Sequence, residues 1–184
     1  MHATPASLLD RLRSPADADA WLRFVRLYTP FLFHWARKHG LQSSDAADLV
    51  QEVFAQLLKV LPEFRYDPKR SFRAWLSVVV GNKWRELNRS RRPQTVPDGE
   101  LPDVTAPPDD FDDREYRSHI ASRALQLIKD EFAPPTWQAF WAVVVEGKPA
   151  ATVALEMRIS ANAVYLSRGR VLRRLRQELA GLLE

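Results

Sequence analysis

Two groups of side chains in this sequence have types and spacings that could do chemistry. Asp45, Asp48 and Glu52 recur at i, i+3 and i+7, which sets three carboxylates on one helical face. Such a face can hold a magnesium ion, dock a partner helix, or simply be solvated at a helix start, where the dipole favours anions. No matching acid cluster occurs in 41–87, and hydrolytic metal sites draw ligands from several elements. A docking surface, with Gln51 and Glu52 as polar contacts, therefore ranks ahead of a solvated face, and a metal site comes last. The second group lies in Ser71–Pro93, SFRAWLSVVVGNKWRELNRSRRP. On a helix, Phe72, Leu76, Val79, Val80, Trp84 and Leu87 make an apolar back, while Arg73, Ser77, Arg85 and Arg89 make a basic edge. Trp75, Val78 and Asn82 lie between the two. That front suits unstacked nucleic acid: each base stacked on an aromatic ring contributes ~1–3 kcal/mol, and arginines follow the backbone. Taking a base out of the duplex costs a few kcal/mol, which stacking and hydrogen bonds offset. The bland alternative, that both tryptophans are core anchors, fits Trp84 fully and Trp75 only in part.

A third pattern is C-terminal. Pro149–Met157 reads as a short helix, Arg158–Ser160 as a tight turn, and Ser160 as the cap of a long last helix with Val164, Val171, Leu172, Leu175, Leu179 and Leu182 as its stripe. This is a helix-turn-helix spacing, which offers the first turns of the second helix to the major groove. Those turns carry Asn162, Ala163, Tyr165, Leu166 and Arg168, followed by Arg170, Arg173 and Arg174. Asn and Arg read base edges by paired hydrogen bonds, and arginines elsewhere seat on phosphates. Between Arg158 and Arg176 there are six arginines and no acid, which argues against a merely structural hairpin. Arg158 occupies a turn position that suits Gly if φ is positive there, at a cost of about 1 kcal/mol for any other residue.

These groups need elements to position them. The chain has 184 residues and 46% apolar content, enough for a core. The net charge is +4, but its distribution says more: nine Lys/Arg against two acids in 65–92, then eight acids against one base in 94–115. No cysteine is present, which excludes disulfides, thiolate zinc sites and cysteine nucleophiles. His2, His34, His39 and His119 are scattered, with no ligand pair at helical spacing. The N-terminus lacks an apolar signal-peptide core and no apolar run reaches membrane-spanning length, so a soluble cytoplasmic protein is expected. Asp17 or Asp19 caps a helix through Tyr28, and Thr29–Pro30 begins another that Gly40 ends. Ser44 or Asp45 starts a third, stopped by Pro62, with Leu49, Val50, Val53, Phe54, Leu57, Leu58 and Leu61 as its stripe. Ser71–Pro93 is a fourth. After the linker come Tyr116–Phe132, then a helix after Pro134–Pro135, then the C-terminal pair. No strand alternation occurs. The expectation is an all-α chain: an N-terminal bundle (1–92), an acidic, Pro-rich, poorly ordered linker (93–115) and a C-terminal bundle containing the helix-turn-helix (116–184).

DLVQEVF (48–54), FRYDPKRSFRAWL (64–76), Asn82 and the trailing RSRRP resemble the promoter-melting domain of bacterial sigma-70-type sigma factors. EGKPAATVALEMRISANAVYLSRGRVLRRL (146–175) resembles their second DNA-binding domain, and the direct linker resembles the extracytoplasmic-function class. The resemblance implies a promoter-specificity subunit of RNA polymerase that is not itself an enzyme. It also implies no cofactor, no metal, no membrane association and no small-molecule substrate. The implied partners are the polymerase core, through the β′ clamp helices and the β flap, and promoter DNA, with an anti-sigma protein as a further candidate. Asp48, Leu49, Gln51, Glu52 and Phe54 match the clamp-docking segment. Phe64, Arg65, Phe72 and Trp75 match the minus-ten capture loop and its aromatic wall, Asn82 a base-reading position, and Lys83, Arg85 and Arg89 phosphate holders. Ser160, Asn162, Ala163, Tyr165, Leu166, Arg168, Arg170 and Arg173 match the minus-35 reader. Where housekeeping relatives carry a tandem aromatic pair at the melting edge, this sequence has Val78–Val79, which implies weaker melting. A stand-alone helix-turn-helix regulator is the alternative, and a hydrolase acting through Asp45, Asp48 and Glu52 a remote third.

Overall fold

Helix α2 shows how inward packing overrides a local break signal. In the computed structural model, which describes residues 7–64, 71–91 and 111–183, it runs unbroken from Ala18 to Lys38 with Pro30 inside it. The expectation of two helices meeting at Thr29–Pro30 is therefore corrected. Pro30 points to solvent, so its ring removes one backbone bond without disturbing packing, and Thr29 Oγ1 donates to the Val25 carbonyl at 2.7 Å. An interior proline costs about 3 kcal/mol. Phe31, Leu32 and Trp35, all buried just beyond it, contribute roughly 1.5–3 kcal/mol each and hold the helix together. Asp17 caps the start, accepting from Ala20 N–H at 3.0 Å. The Arg11 guanidinium, bound to both its oxygens at 2.9 Å, is the main cause that holds the Asp17 carboxyl below its usual range.

The described residues are all-α. A short α1 (Leu8–Arg11) precedes α2; α3 (Ser43–Val60) ends in a 3-10 turn at Leu61–Glu63, where Pro62 stops it. Then come α4 (Phe72–Arg91), α5 (Asp113–Ile128), a 3-10 turn at Lys129–Glu131, α6 (Pro134–Val144), α7 (Ala150–Met157) and α8 (Ala161–Leu179). None of the described helices is long and apolar enough to cross a membrane. Residues 65–70, with Arg65, and residues 92–110, where most of the expected linker falls, lie outside the described residues.

Two compact units emerge, one of Leu8–Ile120 with Gly181–Glu184, the other centred on Ala121–Ala180. In the first, α3 packs on α2 and α4 on α3. Its centre is aromatic: Phe24 meets Tyr28 at 4.5 Å and Phe54 and Phe72 at 6.1 Å each. Phe111 and Tyr116 join the same core, packing against Phe31 at 4.9 and 5.3 Å. Helix α5 thus begins at Asp113, capped by Asp112, whose carboxylate accepts from Glu115 N–H at 2.7 Å. The linker boundary expected at 115 and the helix start expected at Tyr116 both move earlier, because Phe111 and Tyr116 are buried anchors. Nor does 116–184 form one bundle, since α5 as far as Ile120 belongs with the first unit.

The last helix also ends at Leu179, before Leu182, the last position of its expected stripe. Gly181, at φ 77°, turns the chain so that Leu182 is fully buried. Its carbonyl accepts from Tyr116 Oη at 2.8 Å. That bond uses the Tyr116 proton, so Tyr28 Oη must be the donor in the 2.7 Å contact between the two hydroxyls. In the second unit, Ile128, Trp137, Phe140 and Val171 form one cluster, and Ala139, Val153, Ala154 and Val164 another.

Candidate nucleic-acid interface

The geometry of α4 follows from its stripe. Phe72, Leu76, Val80 and Trp84 are buried, while Trp75, one position round from Leu76, is half-buried. Its ring rests on Phe64 at 4.5 Å and on Phe72 at 5.5 Å, so the indole is braced from behind with part of its surface in solvent. Val78 is 59% exposed on the same front, and Asn82 is exposed one turn further on. The front that the residue types suggested is therefore present as a surface. Phe72 is not part of it: it is fully buried against Phe24 and Tyr28 and supports Trp75 from the core. Its assignment to a nucleic-acid contact is corrected on that ground.

The basic edge is thinner than charge counting suggests. Arg73 turns inward to the Phe111 carbonyl and approaches Asp113 at 3.4 Å, fixing the start of α5. Lys83 bonds Glu86 at 2.9 Å and reaches Glu52 at 3.7 Å; the Glu86 hydrogen bond, more than any other contact, raises its pKa. Lys83 is thus a tie between α4 and α3, not an open phosphate holder. Arg85 donates to Asn82 Oδ1 at 2.7 Å, which orients the amide. Arg89 is exposed and forms no ion pair among the described residues.

On α3, Asp48, Gln51 and Glu52 share an exposed face. With Lys83, Glu86 and Leu87 they line a cleft of about 400 Å³. Asp45, Asp48 and Glu52 do not converge into a ligand set, and Lys83 reaches into that face in their place. Leu49 is 1% exposed and Phe54 is half-buried against Phe24, so these two shape the helix from inside. Leu49 cannot touch a partner without unpacking, which corrects its place among docking contacts.

In the second unit, α7 and α8 meet through Arg158, which adopts φ 56°, ψ 42°. Its N–H bonds back to Ala154 and Leu155 carbonyls, so the turn does use the left-handed conformation that favours Gly. Ser160 spends its hydroxyl on the helix cap, accepting from Ala163 N–H at 3.1 Å. Val164 is buried between α6 and α7, and that fixes the rotation of α8. Asn162, Tyr165, Leu166, Arg168, Arg170 and Arg173 consequently face outward; Tyr165 and Leu166 are 56% and 51% exposed. Ala163 is half-buried. Arg168, Arg170 and Arg173 form no ion pair among the described residues. Arg174 differs, gripping Glu131 at 2.6 and 3.0 Å and the buried Glu178 at 2.8 Å. The window of arginines without acids stopped two residues short of that partner.

Residues 24–94 match the family described as Sigma-70 region 2. Among curated proteins, the chain is 44% identical over 57 residues to the RNA polymerase sigma factor CnrH of Cupriavidus metallidurans, covering 31% of this chain and 29% of that protein. It is 33% identical over 84 residues to the RNA polymerase sigma factor NccH of Alcaligenes xylosoxydans xylosoxydans, covering 46% and 44%. The chain thus spans less than half the length of either curated relative in these matches. Among solved structures, a chain of the RsbN–BldN complex is similar at 18% identity and a TM-score of 0.39, over 91% of this chain and 96% of that one.

Proposed function

We propose, from the premise that residues 24–94 are a sigma-70 region 2 domain, that this chain is a promoter-specificity subunit of RNA polymerase. It lends sequence choice and strand opening to the polymerase core and has no reaction of its own. The observation that carries the reading is a coincidence of place. The matched segment contains both the exposed acid-amide face of α3 and the braced, solvent-facing Trp75 of α4. Each half of that surface has a distinct task.

Asp48, Gln51 and Glu52 dock on the β′ clamp helices. An exposed acid face on a rigid helix gives orientation and a fast encounter more than raw affinity. Trp75, held by Phe64 and Phe72, receives a base displaced from the minus-ten strand; a ring already fixed in place loses little entropy when the base stacks. Asn82, oriented by Arg85, reads a base edge beside it, and Arg89 holds a phosphate. In the second unit, the outward side of α8 enters the major groove at the minus-35 element. Asn162, Tyr165, Leu166 and Arg168 face the base edges, with Arg170 and Arg173 on the backbone. The β flap is the further polymerase contact.

Equilibrium titration of the chain against core polymerase, with and without a promoter fragment, tests this. The reading expects a complex at micromolar or lower concentration, and tight sequence-specific DNA binding only once the core is present. Tight binding to palindromic DNA by the free chain, with no affinity for core, would instead establish a stand-alone regulator.

A further inference from the structure

Two histidines that are far apart in sequence meet on the Leu8–Ile120 unit. His34 lies on α2; His119 lies on α5, one turn after Glu115. One ligand atom from each of the three residues falls within 4.8 Å of the others. His34 Nε2 is 2.9 Å from Glu115 Oε1, and the two imidazole rings lie 4.8 Å apart, tilted by 30°. We infer that His34, Glu115 and His119 form a binding site for a divalent transition-metal ion of the imidazole-preferring kind, such as Zn²⁺, Ni²⁺ or Co²⁺.

The donor set carries the inference. Two neutral imidazole nitrogens and one carboxylate oxygen suit zinc, nickel and cobalt, and poorly suit calcium or magnesium, which require mostly oxygen ligands. Three protein ligands leave a fourth position to water. Metal–nitrogen bonds of about 2.0–2.1 Å place tetrahedral ligand atoms about 3.3 Å apart. The widest separation here must therefore close by about 1.5 Å. Side-chain rotation is the movement available, and His34, whose side chain is 47% exposed, has room for it without moving the backbone. The ion takes the place of the proton now shared by His34 Nε2 and Glu115 Oε1, and that proton leaves to solvent.

The surroundings already resemble a supported site. Lys38 Nζ holds the other carboxylate oxygen, Glu115 Oε2, at 2.7 Å, leaving Oε1 for the ion. The Glu115 backbone is itself fixed by Asp112, and Phe31 packs beside His119 at 5.8 Å. Partners of this kind orient ligands and limit their motion. The Lys38 charge works against a cation, so the affinity expected is micromolar. A bound ion clasps the first turns of α5 to the middle of α2 and makes the fold of this unit metal-responsive. The site shares no residue with the promoter-facing surfaces, so either reading can fail without the other.

The test is calorimetric titration of the metal-stripped, tag-free full chain with Zn²⁺ and with Ni²⁺, plus visible spectra with Co²⁺. Expected are one equivalent bound at micromolar concentration, Co²⁺ bands of a nitrogen- and oxygen-ligated ion, and a rise in melting temperature with Zn²⁺. His34→Ala and His119→Ala should each weaken binding about tenfold or more, and His39→Ala should leave it unchanged. If His119→Ala does not fold, the exposed His34→Ala carries the comparison. Absence of saturable binding, or equal affinity in His34→Ala and the parent chain, overturns the inference.

Discussion

Trp75 and Phe72 are three residues apart on α4 and have opposite fates. Phe72 is fully buried, so Phe72→Ala should cost about 3–5 kcal/mol and lower the melting temperature sharply. Trp75→Ala should leave polymerase-core binding intact and impair open-complex formation, read by permanganate footprinting of unpaired thymines. Equal loss of both activities would place Trp75 with the core. Helical spacing made both residues visible, but period alone cannot tell the centre of a stripe from its shoulder. Leu49 was misplaced for the same reason. The inward turn of Arg73 was hidden because its partners, Phe111 and Asp113, sit beyond the linker, and the reach of Lys83 to Glu52 was hidden because it crosses to another helix. Arg158 was legible as a conflict between residue and turn. Arg158→Gly should stabilise the chain by about 1 kcal/mol in denaturant unfolding, with Arg158→Ala close to neutral.

At the scale of elements, α3 and α4 are joined by Lys83 between Glu86 and Glu52. Glu52→Lys removes a carboxylate from the face proposed to dock and faces Lys83 with a like charge. Because the pair is at the surface, stability should change by no more than about 1 kcal/mol, while core binding weakens in a pull-down or titration. A large stability loss with unchanged core affinity would assign Glu52 to the fold. Most helices were legible from apolar period and caps. Pro30 misled because a break signal is local, whereas the burial that outweighs it comes from Phe31, Leu32 and Trp35 against other helices. The tail beyond α8 misled because Gly181 and the buried Leu182 answer to Tyr116, a partner far away in sequence.

That tyrosine belongs to the scale of the whole molecule. Tyr116→Phe leaves the Leu182 carbonyl and the Tyr28 hydroxyl without their partner and should cost about 1–3 kcal/mol. Burial raises the pKa of both tyrosines. A raised pKa in the fold means the unfolded chain loses its protons first. Their stabilisation is full below about pH 10 and falls as pH rises further, by up to ~1.4 kcal/mol per pH unit for each tyrosine. Alkaline melting curves should show this fall, and a Tyr28→Phe/Tyr116→Phe double variant should show less of it. On α8, Arg173 and Arg174 are neighbours with different surroundings, Arg173 exposed and Arg174 paired to Glu131 and Glu178. Arg173→Ala should weaken holoenzyme binding across sequences and reduce the salt slope by ~0.9. Arg174→Ala should instead lower the melting temperature, since it strands the buried Glu178. Charge counting showed the basic block but not which arginine had an acid waiting in another element. The meeting of His34 with Glu115, 81 residues away, was likewise beyond any spacing rule.

The role proposed for this chain is to give RNA polymerase its choice of promoter. Transcription by core enzyme reconstituted with the purified chain, on a library of randomised upstream DNA, tests it most directly. Defined transcripts are expected, from templates that share two enriched elements, near minus ten and minus 35, with the minus-ten signal weakened by Trp75→Ala. Transcription no greater than that of core enzyme alone, or starts without any shared upstream sequence, would contradict it.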